Sequence, residues 1–303
     1  MISRTFKRHA VRLQYAMGRF EAKPYIFTRD IPNDGLLIRN LHTLVGTRTD
    51  LSVLKYLNHL GYCQNRPGYT TVSKVEEIGH SCTRFAHGDQ LLLSARYETL
   101  SLEHMSSVAV LGRLGSEITD PILDLFTPLV GYALMLASVL PDLQYGEVVL
   151  LFGCGPIGAL LAQILTSQMD ALVVAIQNDS NDLEPHVLFE CGVDKVVTDP
   201  KQLSEKQRRA IRHCFIFSEK QQALEQAQLL ALNAENYTHI PDIGSHARAP
   251  DFTSLHDAAV GLLQNGSVNA NLLVADHIHP ESAEKAFQLS ASAYPGQLLI
   301  CDW

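Results

Sequence analysis

Residues 147–179 read EVVLLFGCGPIGALLAQILTSQMDALVVAIQND, and this stretch decides the fold. The apolar run Val148–Phe152 has strand length, and the chain then turns through Gly153, Cys154, Gly155, Pro156, Ile157 and Gly158. A helical run follows from Ala159 to Ser167, and a second apolar run, Ala171–Ile176, closes the unit. The glycines stand at G-x-G-x-x-G spacing between a strand and a helix, within a unit of about 30 residues. Each has a physical task. Gly153 permits the sharp turn, Gly155 lets the backbone come close to a pyrophosphate, and Gly158 lets the helix pack near the strand. The helix N-terminus, reached through Pro156 and Ile157 of the turn, offers free N–H groups and a positive dipole end to phosphates. The three-part setting points to a dinucleotide crevice.

An acidic residue that bonds the adenosine ribose is expected at the end of the second strand. That position is Gln177, 24 residues after Gly153 (177 − 153 = 24), with Asn178, Asp179 and Ser180 next. Asp179 comes two places late, and no Lys or Arg beside Gln177 offers itself to a 2′-phosphate. These residues leave NAD and NADP both open.

Working outward, the 303 residues suffice for two domains. Hydrophobic residues make up 46% and charged residues 18%, as in a chain that buries a sizeable core. A formal net charge of −8 argues against nucleic acid or an anionic membrane as partner. No apolar run reaches the 18 or so residues of a membrane span, and the basic N-terminus lacks an apolar signal core, so a cytoplasmic location is expected. The cysteines, Cys63, Cys82, Cys154, Cys191, Cys214 and Cys301, are dispersed and form no C-x-x-C pair, as expected of reduced buried thiols.

Before the central unit, Ala10–Tyr15, Tyr25–Phe27, Gly35–Asn40, Val72–Ile78 and Gln90–Leu93 read as strands of an antiparallel β module. Thr47–Leu60 has helical spacing with Asp50 as N-cap, and residues 119–140 form a bridging helix. After it come helices near 182–191, 219–233, 254–264 and 281–289. Strands are expected at 195–198, 214–217, 237–240, 272–275 and 298–302. Strands alternating with helices predict an α/β fold with a parallel sheet.

Over nearly its whole length the chain resembles the medium-chain dehydrogenase/reductase superfamily. The matching pieces are PGYTTVSKVEEIG (67–79), FAHGDQLLL (85–93), GEVVLLFGCGPIGALLAQ (146–163), FECGVDKVV (189–197) and the tail from His277 to Trp303. Within the superfamily, GTRTDLS (46–52), PGY and the terminal CDW resemble the zinc-free branch that contains bacteriochlorophyllide 3-hydroxyethyl dehydrogenase. The resemblance implies a GroES-like catalytic domain of 1–124 plus 276–303 around a Rossmann-type nucleotide domain of 125–275. The single clear strand between Phe217 and the helix at Ser254 implies a shortened sheet. The activity implied is hydride transfer between NAD(P)(H) and a small or medium-sized carbonyl, imine or alcohol, in a biosynthetic setting. A cyclase or lyase, or a non-catalytic binding subunit, is the alternative. A small-molecule substrate is implied, and a homodimer is left open.

The positions that match the metal ligands of zinc relatives are Thr47, Tyr69-Thr70 and Phe126-Thr127, which supply no thiolate, imidazole or carboxylate. The resemblance makes Thr49 a proton relay or a helix cap, and Arg48 a pyrophosphate contact or a surface cation. Tyr69 is a hydroxyl that polarises a carbonyl or merely fills the lost metal site. His277 and His279 share one strand face, as a metal pair or as a turn before Pro280. Cys154 is an activated thiol or a structural residue. Elemental analysis of the purified protein is therefore expected to show no stoichiometric zinc. One zinc per chain would contradict the reading of Thr47 and Tyr69.

Overall fold

A computed structural model describes residues 7–16, 19–28, 30–46, 68–104, 110–114, 120–140, 143–177, 182–218, 221–231, 236–240, 253–283, 285 and 295–303. The chain divides into two compact units. The first comprises Met1–Phe126, Asp276–Ala291 and Leu298–Trp303, and the second Thr127–Ala275 and Ser292–Gln297.

The first unit is β-rich. Strands β1 (Arg8–Ala16) and β2 (Arg19–Phe27) form an antiparallel hairpin. Around β3 (Gly35–Val45) gather β4 (Gly68–Ile78), β5 (Gln90–Arg96), β6 (Leu100–His104) and β7 (Val110–Leu114). The returning β13 (Val274–Ile278) and β14 (Leu298–Asp302) complete a seven-stranded sheet in the order β13-β14-β3-β4-β5-β7, with β6 also on β3. Alternation along β3 and β5 buries Leu36, Ile38, Leu91 and Leu93 together with Val75 and Phe85.

Polar groups inside this sheet are paired. Ser73 Oγ donates to Asn40 Oδ1 at 2.7 Å, and Asn40 Nδ2 donates to the Glu98 carbonyl at 2.6 Å. The C-terminal strand is clasped from both sides. His42 Nδ1 lies 2.7 Å from one Asp302 carboxylate oxygen and His277 Nδ1 3.2 Å from the other, while His279 Nδ1 lies 3.3 Å from the Asp302 carbonyl. His279 then caps a 3₁₀ turn at Pro280–Ser282. His277 and His279 thus close a strand and open a turn. Among the described residues no group of three His, Cys, Asp or Glu side chains is placed to hold a metal.

The second unit holds a parallel sheet ordered β10-β9-β8-β11-β12. Its strands are β8 (Val148–Phe152), β9 (Leu172–Ile176), β10 (Lys195–Val197), β11 (Ile211–Ile216) and β12 (Asn236–His239). All five residues of β8 are buried, so both faces of the strand are covered, as a parallel sheet requires. Val148, Leu150 and Phe152 pack with Val174, Ile176, Cys214 and Ile216 in one core, which also takes Ala223 and Ala227 of the helix Gln221–Ala231. Each Val, Leu, Ile or Phe side chain removed from water in this core stabilises the unit by about 1.5–3 kcal/mol.

Several expectations are corrected. The bridging helix is two, α1 (Pro121–Asp124) and α2 (Thr127–Ala137), because the chain breaks at Leu125-Phe126. The strand expected at 272–275 starts two residues late: Leu272 and Leu273 belong to a 3₁₀ turn, Ala270–Leu273, and β13 runs from Val274 to Ile278 in the sheet of the first unit. The apolar run there fills a turn core, so its strand-like pattern misled. Glu205–Arg209 forms a helix that periodicity missed, although Ser204 and Gln207 spell its capping box. The 281–289 helix begins as the 3₁₀ turn, and most of its span lies outside the described residues. So do Thr47–Leu60, Cys63 and residues 241–252, on which the shortened sheet depends. The other five cysteines are buried and free. No helix among the described residues is long and apolar enough to cross a membrane.

His213 sits inside β11, 2% exposed, its ring 4.6 Å from that of Phe215. Nε2 lies 3.0 Å from Thr238 Oγ1, and Nδ1 has no partner. A bare ring nitrogen is cheaper to bury unpaired than an N–H, so the surroundings favour the tautomer in which Nε2–H donates to Thr238. Burial pulls the imidazole down from 6.5 to about 4. Between those values the unfolded chain binds the extra proton and the folded chain does not. This group therefore costs stability progressively as pH falls from 6.5 to about 4, up to about 3 kcal/mol. His213→Phe is expected to remove that part of the acid sensitivity in chemical denaturation. An unchanged pH slope would show that His213 charges freely in the fold.

Candidate functional site: an open glycine turn at a helix N-terminus

Strand β8 ends at Phe152, and Gly153 turns the chain with φ +76°, a conformation that a side chain disfavours. Gly153 N–H donates to the Ile176 carbonyl at 3.0 Å, and Phe217 N–H donates to the Phe152 carbonyl at 2.8 Å. The turn is thereby pinned between the ends of β9 and β11. Helix α3 (Pro156–Met169) starts at once, with Gly155 as its N-cap and Pro156 in its first turn. No side chain caps it, so its first-turn amides are not quenched from within. A Cβ built on Gly155 would meet nothing within 4 Å, which leaves the space before the helix open. At Gly158 the opposite holds: a Cβ would lie 3.1 Å from Cys154 Sγ and 3.5 Å from the Phe217 ring. Gly155 thus keeps an approach clear, and Gly158 permits packing. An open cradle of backbone N–H groups at a helix N-terminus fits a pyrophosphate.

The loop after β9 folds back onto this turn. Gln177 N–H donates to the Val197 carbonyl at 2.8 Å, and its side-chain Nε2 donates to the Leu183 carbonyl at 2.6 Å. Leu183 N–H donates to the Cys154 carbonyl at 3.0 Å, and Cys154 N–H donates to Asp182 Oδ1 at 2.6 Å. Gln177 is therefore a clamp on its own loop. The carboxylate that reaches the turn belongs to Asp182, which spacing missed because Asp179 stands nearer in sequence. Burial, with Asp182 beside it, pushes the Cys154 thiol well above its ordinary range, so Cys154 is structural rather than activated.

Gly153, Gly155, Pro156, Ile157, Gly158 and Gln177 come together around one turn. Asn178, Asp179 and Ser180 lie outside the described residues, as do Thr47, Arg48 and Thr49. Tyr69 stands on β4 opposite Ala95, and its side chain lies outside the described residues.

The first unit contains a titratable group that spacing also missed. Asp124 closes α1, which packs against β4, the strand of Tyr69. It is 8% exposed, and its Oδ2 has no hydrogen-bond partner, nor has Thr127 Oγ1. Burial, and then the charge of Asp120, raises the carboxyl from 3.8 to about 6. A charge within the apolar run Ile122–Phe126 was the available signal.

Solved structures share this fold along nearly the full chain. Alcohol dehydrogenase from a Thermus species matches with a TM-score of 0.73 at 13% identity, over 96% of this chain and 99% of that one. A zinc-binding dehydrogenase from Sinorhizobium meliloti bound to NADP matches with a TM-score of 0.69 at 14% identity, over 98% and 100%. Quinone oxidoreductase from Pseudomonas syringae matches with a TM-score of 0.65 at 15% identity, over 97% and 100%. No protein-family model and no curated protein matches the sequence.

The raised Asp124 value has a definite sign. The unfolded carboxyl ionises near 3.8 while the folded one keeps its proton to about 6, so the group lowers stability as pH rises between them. Asp124→Asn is expected to stabilise the protein near pH 8 by about 2–3 kcal/mol and to leave it unchanged near pH 3.5. Destabilisation of the variant near pH 8 would show that the carboxylate is paired in the fold.

Proposed function

We propose that the protein is a nicotinamide-dependent oxidoreductase of the medium-chain dehydrogenase/reductase type. In this reading it needs no catalytic zinc and moves hydride to or from a small or medium-sized carbonyl, imine or alcohol. The observation that carries it is the uncapped start of α3 behind an open Gly155, at the carboxyl end of a parallel sheet where ligands of such sheets bind. The shared fold supports it, because enzymes of both dehydrogenase and quinone oxidoreductase chemistry are built on the same frame. The zinc-free part rests on residue chemistry, since Thr47, Tyr69 and Phe126 offer no metal ligand.

A bound nicotinamide supplies or accepts the hydride. The residues of this chain have the remaining tasks. Gly153 and Gly155 bring bare backbone to the pyrophosphate, and Pro156, which has no N–H, fixes the first helical φ beside them. Ile157 and Gly158 present first-turn amides to phosphate oxygens. Proton transfer to the substrate oxygen falls to the first unit, with Tyr69, Thr49 and Thr47 as hydroxyl donors and Arg48 as a cation for the phosphates. Asp124 is a buried carboxyl of that unit that holds its proton up to about pH 6.

Gly155→Asp tests the crevice. Its carboxylate would enter open space, so the protein should fold. Facing a pyrophosphate charge at about 5 Å, it would cost about 3 kcal/mol at an effective dielectric of about 20, a loss of roughly a hundredfold in affinity. Fluorescence titration with NADH and NADPH is expected to show binding to the wild type and that loss in the variant. Unchanged affinity in a folded variant would remove the crevice. Failure of the wild type to bind either nucleotide at millimolar concentration would favour a non-redox enzyme or a binding subunit on this frame.

A further inference from the structure

The reading above leaves the choice of nucleotide open, and the loop after β9 bears on it. The strand-end position is Gln177, whose amide is engaged with the Leu183 carbonyl at 2.6 Å. That bond, with Leu183 N–H on the Cys154 carbonyl at 3.0 Å, folds the loop back over the glycine turn. Asp182 is delivered by this fold. Its Oδ1 accepts from Cys154 N–H at 2.6 Å and lies 3.6 Å from where a Cβ on Gly153 would stand. It is 7% exposed, so water screens it poorly. The segment from Gln177 to Asp194 contains Asp179, Asp182, Glu184, Glu190 and Asp194 and no Lys or Arg. The next cation, Lys195, donates its Nζ to the Gln202 carbonyl at 3.1 Å and to Gln207 Oε1 at 3.2 Å.

We propose that Asp182 decides which nicotinamide nucleotide the crevice takes. Its carboxylate, fixed on the first residues of the glycine turn, accepts the free 2′-hydroxyl of NAD(H) and repels the 2′-phosphate of NADP(H). The strand end thus gives up its acid, and the loop returns one from five residues further on. A carboxylate can accept from a ribose hydroxyl. A 2′-phosphate carries a further charge of about −1.5 to −2 and would need a guanidinium or ammonium partner, which this segment lacks. The assignment rests on the nicotinamide reading of the crevice.

The test is a titration of the full-length protein with NADH and with NADPH, followed by nicotinamide fluorescence or calorimetry at low and at high salt. The wild type is expected to prefer NADH by roughly a hundredfold at low salt, with the preference shrinking as salt screens the repulsion. Asp182→Asn keeps an oxygen acceptor for Cys154 N–H and is expected to bring the NADH/NADPH ratio down at least tenfold. If that variant fails to fold, the wild-type ratio and its salt dependence still decide. Equal binding of the two nucleotides by the wild type, tighter binding of NADPH, or an unchanged ratio in a folded Asp182→Asn variant would overturn the assignment while leaving the crevice standing. Binding of neither nucleotide would overturn the crevice and the assignment together.

Discussion

The structure of the second unit depends on one constraint: a strand buried on both faces has to leave its sheet at once, through a backbone conformation that disfavours a side chain. Val148–Phe152 is covered on either side, and the chain reverses at Gly153 in a left-handed conformation. The turn is held by backbone bonds to Ile176 and Phe217, the ends of the two neighbouring strands. Because the turn is held from its flanks, α3 starts without a side-chain cap. The same geometry that solves the packing problem therefore leaves peptide N–H groups pointing outward. A dinucleotide site arises as the unfilled end of a well-filled sheet.

Two buried titratable groups, one in each unit, show where the fold gives up stability. His213 is held neutral in β11 and resists acid poorly, whereas Asp124 is held protonated in α1 and costs stability as pH rises. Their effects have opposite sign and their windows overlap between about pH 4 and 6, so the His213 cost fades as the Asp124 cost sets in. His213 has a ring partner in Phe215 and a hydroxyl partner in Thr238, as expected of a packed polar residue. Asp124 Oδ2 has none, and an unpartnered carboxyl beside the strand of Tyr69 is the kind of expense that proteins keep at working sites.

Much of this was legible in the sequence, for identifiable reasons. The G-x-G-x-x-G turn could be read because each glycine answers a local steric demand, and the strands around it because both-face burial makes continuous apolar runs. The mixed α/β architecture followed from the alternation of strands and helices. What escaped was set by tertiary pairing. Leu272–Ala275 has a strand's composition, yet its first two residues close a 3₁₀ turn and the strand that starts at Val274 joins the other sheet. Asp182 escaped because the length of a loop says nothing about how it folds back, and only the Gln177–Leu183 bond reveals it. Asp124 escaped because a lone charge in an apolar run looks like a helix-surface residue until its burial is seen.

The central claim is that the turn at 153–158 and the loop at 182–183 form one nucleotide-binding surface. Hydrogen–deuterium exchange with and without saturating NADH tests it most directly, since it reads each backbone amide rather than affinity as a whole. The account predicts new protection at Gly155, Ile157 and Gly158 and added protection at the already bonded Cys154 and Leu183 amides, with little change in β12 or in the clasp at Asp302. Protection confined to other segments, or no change at these amides when NADH is bound, would contradict it.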